Sequence, residues 1–253
     1  MLSRLALVLV LCSSAFAQEI TVAAAADLSG VLPEIAARYK NRTGQEIKLI
    51  FGSSGNLTTQ IRNGAPFDIF FSADEEYPKQ LIDAGLAERD TLYRYAVGRL
   101  VLWVPRESPL DLSKLGMQAL LEPTVKKVAI ANPQHAPYGR AAEVALRHFG
   151  IYDQVSGKLV LGENVSQAAQ FVESGNAQAG LIALSHALAP AMKAKGRYWT
   201  VPLDAYPALN QAAVALSRSK QQQAARKFLE FVRSSESTSL LKSYGFSLPA
   251  EKP

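Results

Sequence analysis

The sequence predicts an α/β protein whose sheets are mostly parallel. Three observations carry that expectation. Short β-rich apolar runs alternate with helical periods nearly from end to end, the pattern of strand, crossover helix and next strand. The intervening segments place apolar residues three and four positions apart, the spacing of one helix face. No Gly/Ser-rich or Pro-rich linker follows residue 17, so any second lobe is joined to the first through ordered segments.

Residues 1–17 read as a secretory signal peptide. They hold one basic residue, Arg4, the apolar run Leu5-Ala6-Leu7-Val8-Leu9-Val10-Leu11, and Ala15-Phe16-Ala17 with small residues spaced for cleavage. The run is too short to span a bilayer, and the mature chain is expected to begin near Gln18. The only cysteine, Cys12, lies inside this segment, so the mature protein is expected to be without thiol or disulfide. Leu11 precedes it where lipoprotein processing takes Gly or Ala, which favours a free protein over a lipid-anchored one.

Strands are expected at 20–24, 47–51, 67–71, 99–104, 128–131, 158–161, 179–182 and 212–216. Between them, Leu28, Val31, Leu32, Ile35, Ala36 and Tyr39 form one apolar helix face, as do Val165, Ala168, Ala169 and Val172, and Ala225, Phe228, Leu229 and Val232. After the leader, charge, Pro or Gly interrupts each apolar run before it reaches membrane-spanning length. The remaining chain, about 235 residues, is long enough for two lobes with separate cores or for one large domain. If there are two lobes, the chain crosses near 95–98 and near 209–211. Lobe one would then be 18–96 with 211–253, and lobe two 97–210.

The formal charge of +5 becomes +4 once Arg4 leaves. The Lys and Arg are scattered, without a run of five or a basic stripe interleaved with aromatics, which speaks for solubility rather than nucleic-acid binding. Trp103, within Leu100-Val101-Leu102-Trp103-Val104, reads as strand and core.

Four places share one local design, a strand running through a polar or Gly/Pro-containing loop into a helix. They are Ala25-Ala26-Asp27-Leu28, Gly52-Ser53-Ser54-Gly55-Asn56, residues 132–139 and Gly162-Glu163-Asn164-Val165. A helix start leaves backbone N–H groups unpartnered and carries about half a positive charge, which makes it an anion site. In open α/β sheets such loops gather outside the carboxyl ends of the strands. Serine hydroxyls donate to an oxyanion, flanking glycines admit it closely, and Pro137 suits the first helical position. Any one of Asp27, Ser53, Ser54 and Asn164 is an ordinary cap or turn residue; the signal is the set of four loops.

Enzymatic readings find little. His135, His148 and His186 lack metal-ligand spacing; His148 and His186 read as structural, and His135 as a turn residue. Neither a Walker A sequence nor a Gly-x-Gly-x-x-Gly is present. Gly52-Ser53-Ser54-Gly55 encloses two residues, not the three of a nucleophile elbow. A secreted serine hydrolase using Ser53 or Ser54 is the alternative from a different class, and no cofactor is called for.

With those loops quoted, the chain resembles the periplasmic molybdate-binding proteins of ABC-type uptake systems. The resemblance runs over essentially the whole mature chain and rests on Ile20-Thr21-Val22 with the alanine run to Asp27-Leu28, on Phe51-Gly52-Ser53-Ser54-Gly55, on the segment 63–74, on Ala131-Asn132-Pro133 through Ala136-Pro137-Tyr138-Gly139, on Glu163-Asn164-Val165, and on Tyr244-Gly245-Phe246. It implies a two-lobed periplasmic binding protein of the second type, closing on a dehydrated molybdate or tungstate and delivering it to a membrane permease, as a monomer and without catalysis. It puts ligand contacts on Ser53 and Ser54, on the backbone N–H of Tyr138 and Val165, and on Asp27. The segment 63–74 would be scaffold.

Two positions depart from the family pattern. Ala183 stands where many members carry a tyrosine, whose hydroxyl Tyr138 would restore from another loop. Asp27 stands where many carry serine or asparagine, and a carboxylate facing a dianion repels it. Asp27 is therefore expected to cap its own helix, leaving only its N–H to the ligand and affinity flat between pH 6 and 8. A carboxylate that accepts a proton from the ligand would instead point to phosphate, which with sulfate is the alternative ligand. Arg140 is expected to point along its helix, away from the site.

Overall fold

In a computed structural model, which describes residues 19–249, the apolar runs become two five-stranded sheets. The proposed leader 1–17, with Cys12, lies outside the described residues. The strands are β1 (Ile20–Ala25), β2 (Ile47–Gly52), β3 (Ile69–Ser72), β4 (Tyr93–Gly98), β5 (Leu100–Pro105), β6 (Val128–Ala131), β7 (Leu159–Gly162), β8 (Ala179–Ala183), β9 (Gly196–Thr200) and β10 (Leu209–Ala215). The first sheet has the order β2-β1-β3-β10-β4 and the second β7-β6-β8-β5-β9.

The two sheets repeat one plan. Three neighbouring strands run parallel, β2, β1 and β3 in one and β7, β6 and β8 in the other. The fourth runs against them and against the fifth, as β10 lies between β3 and β4 and β5 between β8 and β9. Four strands of each sheet thus point one way. The reversed strand is in each case the one by which the chain enters from the other sheet: β5 follows β4 across Arg99, and β10 follows β9 across 201–208.

Helices cover both faces of the first sheet. Phe70 and Phe71, adjacent in β3, point to opposite faces. Phe71 packs edge-on against Tyr95 and Phe228, with Tyr39 and Ile35 in the same core, while Phe70 joins Leu57, Ile61 and Leu81. The expected helix face of Leu28 to Tyr39 is buried throughout. Its start differs from expectation: Ala26–Leu28 is a 3₁₀ turn, and the α-helix Val31–Thr43 begins only after Ser29 and Gly30. Trp103 is buried in the core of the second sheet, as expected.

Two strands had no counterpart in the sequence reading, β4 and β9. Both lie at the edges of their sheets, β4 meeting only a single bridge from Val97 to Ser247 beyond β10, and they carry Tyr, Arg and Thr in place of an apolar run. The stretch 209–211, expected as a crossing, is the beginning of β10.

Candidate functional site

The four predicted loops meet. Ala25 to Asp27 leave the carboxyl end of β1, and Gly52 to Ser54 that of β2; Ala136 to Tyr138 follow β6, and Asn164 and Val165 follow β7. All line one cavity between the sheets. Asp27, Ser53, Ser54, Tyr138 and Val165 are each on its wall, each at most 5% exposed. The space open to the centre of a water molecule there is about 10 Å³, room for one water-sized or small-ion guest. Among the described residues no Lys or Arg lines it.

Each wall is built by capping chemistry. Ser53 precedes the helix Ser54–Arg62, and its Oγ accepts from Asn56 N–H at 3.4 Å. The same Oγ meets His135 Nδ1 at 2.8 Å across the cleft. Ser54 Oγ accepts from Ala73 N–H at 3.0 Å, which leaves its O–H free to donate. Asn164 caps the helix Val165–Glu173, its Oδ1 accepting from Ser166 and Gln167 N–H at 3.0 and 3.1 Å. Ala136 precedes the helix Pro137–His148, with Pro137 in its first turn. The N–H groups of Ser54, Tyr138 and Val165 have no acceptor among the described residues. These are the unsatisfied first-turn donors of three helices, converging with their positive dipole ends on one cavity.

Asp27 departs from its expected role. Its carboxylate caps nothing: the 3₁₀ turn it sits in begins after Ala25 and has no side-chain cap. Because the chain bends at Ser29 and Gly30 before the α-helix starts, the N–H groups that Asp27 was expected to bind lie beyond its reach. Oδ2 instead accepts from Gln211 Nε2 at 2.5 Å, and Oδ1 is buried without a partner. Gln211, fully buried in β10, also donates to Tyr138 Oη at 3.3 Å and accepts from Tyr95 Oη at 2.7 Å. Burial pushes the Asp27 carboxyl up to about 6, while the Gln211 amide and the Tyr138 hydroxyl pull it down. Burial, with Asp27 nearby, holds the Tyr138 hydroxyl well above its usual range, so it stays protonated.

The lobes touch on both flanks of the cavity. On one, Arg140 reaches Asp74 Oδ2 at 2.5 Å and Tyr77 Oη at 3.2 Å, contrary to the expectation that it runs along its own helix. Its neighbour His135 is more than a turn residue: its carbonyl accepts from Gly55 N–H at 2.9 Å. On the other flank, Ser166 Oγ donates to Ala26 O at 3.0 Å and Ser185 Oγ to Asp27 O at 2.8 Å. His186 Nε2 lies 2.8 Å from Ser166 Oγ and 3.4 Å from Ser29 Oγ. Burial pushes the His186 imidazole down to about 4. Sequence reasoning passed over Gln211, His186 and Arg140 as site elements. For Gln211 a signal existed, an amide next to the apolar run Ala212-Ala213-Val214-Ala215.

Among the described residues no group of three or more His, Cys, Asp or Glu could hold a metal cation. What the geometry offers is a small, buried pocket of N–H and O–H donors, suited to an anion that carries its own oxygen acceptors.

The comparisons agree with that chemistry. The sequence family described as bacterial extracellular solute-binding protein matches residues 20–247. A molybdate-binding protein of Rhodobacter capsulatus is 38% identical over 244 residues, 96% of this chain and 94% of the relative. That of Azotobacter vinelandii is 36% identical over 251 residues, 98% of each. The solved Azotobacter vinelandii periplasmic molybdate-binding protein superposes with a TM-score of 0.86 at 32% identity, covering 91% of this chain and 99% of that one.

Proposed function

The chain belongs to the family of bacterial extracellular solute-binding proteins, and we propose that within it this protein is a receptor for molybdate or tungstate that serves an ABC transporter. It works outside the cytoplasm, in the periplasm, after export by residues 1–17, and it binds without catalysis. Lobe one (18–96 with 211–253) and lobe two (97–210) close on the ion, and the monomer hands it to a membrane permease.

The observation that carries this reading is the cavity itself, four strand-to-helix loops converging with free N–H and O–H donors and no cation on its wall. The contacts fall to the hydroxyls of Ser53 and Ser54, the N–H groups of Tyr138 and Val165, and Asp27. Dipoles and hydroxyls hold a dianion in a dry site without the long, mobile side chain that a Lys or Arg would have to order. Relatives that bind molybdate across nearly the full length support the choice of oxyanion.

Calorimetric titration with molybdate, tungstate, sulfate and phosphate tests the reading. Saturable one-to-one binding of molybdate or tungstate, with sulfate and phosphate weaker by orders of magnitude, is the expected outcome. Tighter binding of phosphate or sulfate would move the receptor to that ion, and turnover of an ester at Ser53 or Ser54 would make it an enzyme.

A further inference from the structure

Among the described residues, Asp27 is the one acidic side chain on the wall of this cavity of donors. Its two oxygens are not equivalent. Oδ2 takes the Gln211 N–H at 2.5 Å, as the carbonyl oxygen of an acid or either oxygen of a carboxylate would. Oδ1 is buried and without a partner. An ionised carboxylate would leave that oxygen charged, buried and undonated, and would repel a dianion held in the same small cavity. A neutral carboxyl has one O–H to give, and at Oδ1 nothing in the protein takes it.

Building on the oxyanion reading above, we infer that Asp27 enters the complex as a neutral carboxylic acid that donates its Oδ1 proton in a hydrogen bond to the ligand, so that capture of a fully deprotonated oxyanion takes up one proton from solvent. No covalent bond forms or breaks at the ligand. The free site picks up one proton on Asp27 as the dianion binds, and gives it back to solvent on release. The side chain thus supplies a donor where the family pattern has a serine or asparagine, and couples occupancy to pH.

The surroundings keep the switch on Asp27 alone. Facing it are the Tyr138 hydroxyl from the helix Pro137–His148, the Gln211 amide from β10, and Tyr95 from β4, which reaches it through Gln211. Ser185 holds its backbone carbonyl, and His186 lies beside Ala26, kept neutral by burial. Asp74, which with Asp27 acts on Tyr95, is paired with Arg140. Burial already raises the Asp27 carboxyl to about 6 in the empty cleft, and an adjacent dianion raises it further.

Calorimetric titration with molybdate from pH 5.5 to 8.5, in two buffers of different ionisation enthalpy, tests this in wild type and Asp27→Asn. In wild type the dissociation constant should rise about tenfold per pH unit above about 6, with close to one proton taken up per ion at pH 8. Asp27→Asn, whose amide donates at every pH, should bind with a flat profile and no proton uptake, and more tightly than wild type at pH 8. Wild-type affinity unchanged between pH 6 and 8 with no proton uptake would overturn the inference alone. So would a wild type that prefers phosphate and loses it on Asp27→Asn, since the carboxylate would then be accepting the ligand's proton. No molybdate binding by either folded protein at any pH would overturn the molybdate reading and this inference with it.

Discussion

Gly55 lies where the lobes meet beside the cavity, its N–H donating to His135 O at 2.9 Å, and adding one methyl there separates closure from folding. A Cβ on Gly55 would stand 2.6 Å from Tyr77 Oη, 2.7 Å from His135 O and 2.8 Å from His135 Cβ. The last two belong to the facing lobe, and one is backbone that cannot rotate away. Gly55 lies inside the helix Ser54–Arg62, where alanine is preferred to glycine by up to about 1 kcal/mol. Gly55→Ala should therefore leave the ligand-free protein as stable as wild type or slightly more so, because that gain is present whether the cleft is open or closed. Tyr77, in the same lobe, can swing its hydroxyl aside, so the closed form alone meets the unyielding contacts at His135, and overpacking of this kind costs about 1–3 kcal/mol. Ligand binding that requires closure should weaken by about 5- to 150-fold. Calorimetry with molybdate gives the affinity and differential scanning calorimetry the ligand-free melting temperature. Unchanged affinity would refute the argument, since it would mean that the lobes bind the ion without meeting at Gly55.

Other perturbations read other parts of the site. Ser53→Ala and Ser54→Ala should each weaken molybdate binding by about ten- to a hundredfold, as a hydroxyl bonded to a charged ligand contributes about 1.5–3 kcal/mol; titration of each variant checks it. Arg140→Ala breaks a part-exposed ion pair with Asp74 but no ligand contact, so affinity should stay within about tenfold, and loss of binding would sink the dipole account. Stability should be nearly flat from pH 4 to 6.5, because two buried groups oppose each other. Asp27, raised from 3.8 to about 6, stabilises fully at low pH and loses that contribution as pH rises through 6. His186, lowered from 6.5 to about 4, stabilises above 6.5 and loses its contribution as pH falls through 4. Each is worth on the order of 3 kcal/mol. Urea midpoints should therefore rise with pH in Asp27→Asn and fall with pH in His186→Gln, and parallel profiles in the two variants would contradict the compensation.

What the sequence made legible was local chemistry. Ser53 and Asn164 cap the helices they precede because capping needs only a side-chain oxygen and the N–H groups two or three residues on. Pro137 starts its helix for an equally local reason. The alternation of strand and helix was enough to bring four loops, three of them helix starts, to the carboxyl ends of the strands. Asp27 was misread because Ser29 and Gly30 interpose a bend, so the cap it resembled has no helix within reach. The partners of Arg140 and Asp27 lie 66 and 184 residues away in sequence. The first pair arises only when the lobes face each other and the second only because β10 returns to the sheet that holds β1, and spacing along the chain carries no trace of either. β4 and β9 escaped notice because Tyr93-Arg94-Tyr95 and Arg197-Tyr198-Trp199-Thr200 replace the apolar run that marked the other strands, the edge strands β2 and β7 included.

The central claim is that an oxyanion is held by hydroxyls and helix-start N–H groups, with no cation in contact. Anomalous diffraction at the molybdenum edge, from crystals grown with molybdate, tests it most directly. The account predicts one molybdenum site in the cavity of Asp27, Ser53, Ser54, Tyr138 and Val165, its oxygens within hydrogen-bonding distance of the two serine hydroxyls and of the Tyr138 and Val165 N–H groups. A molybdenum peak beside Lys or Arg elsewhere, with this cavity empty, would contradict it.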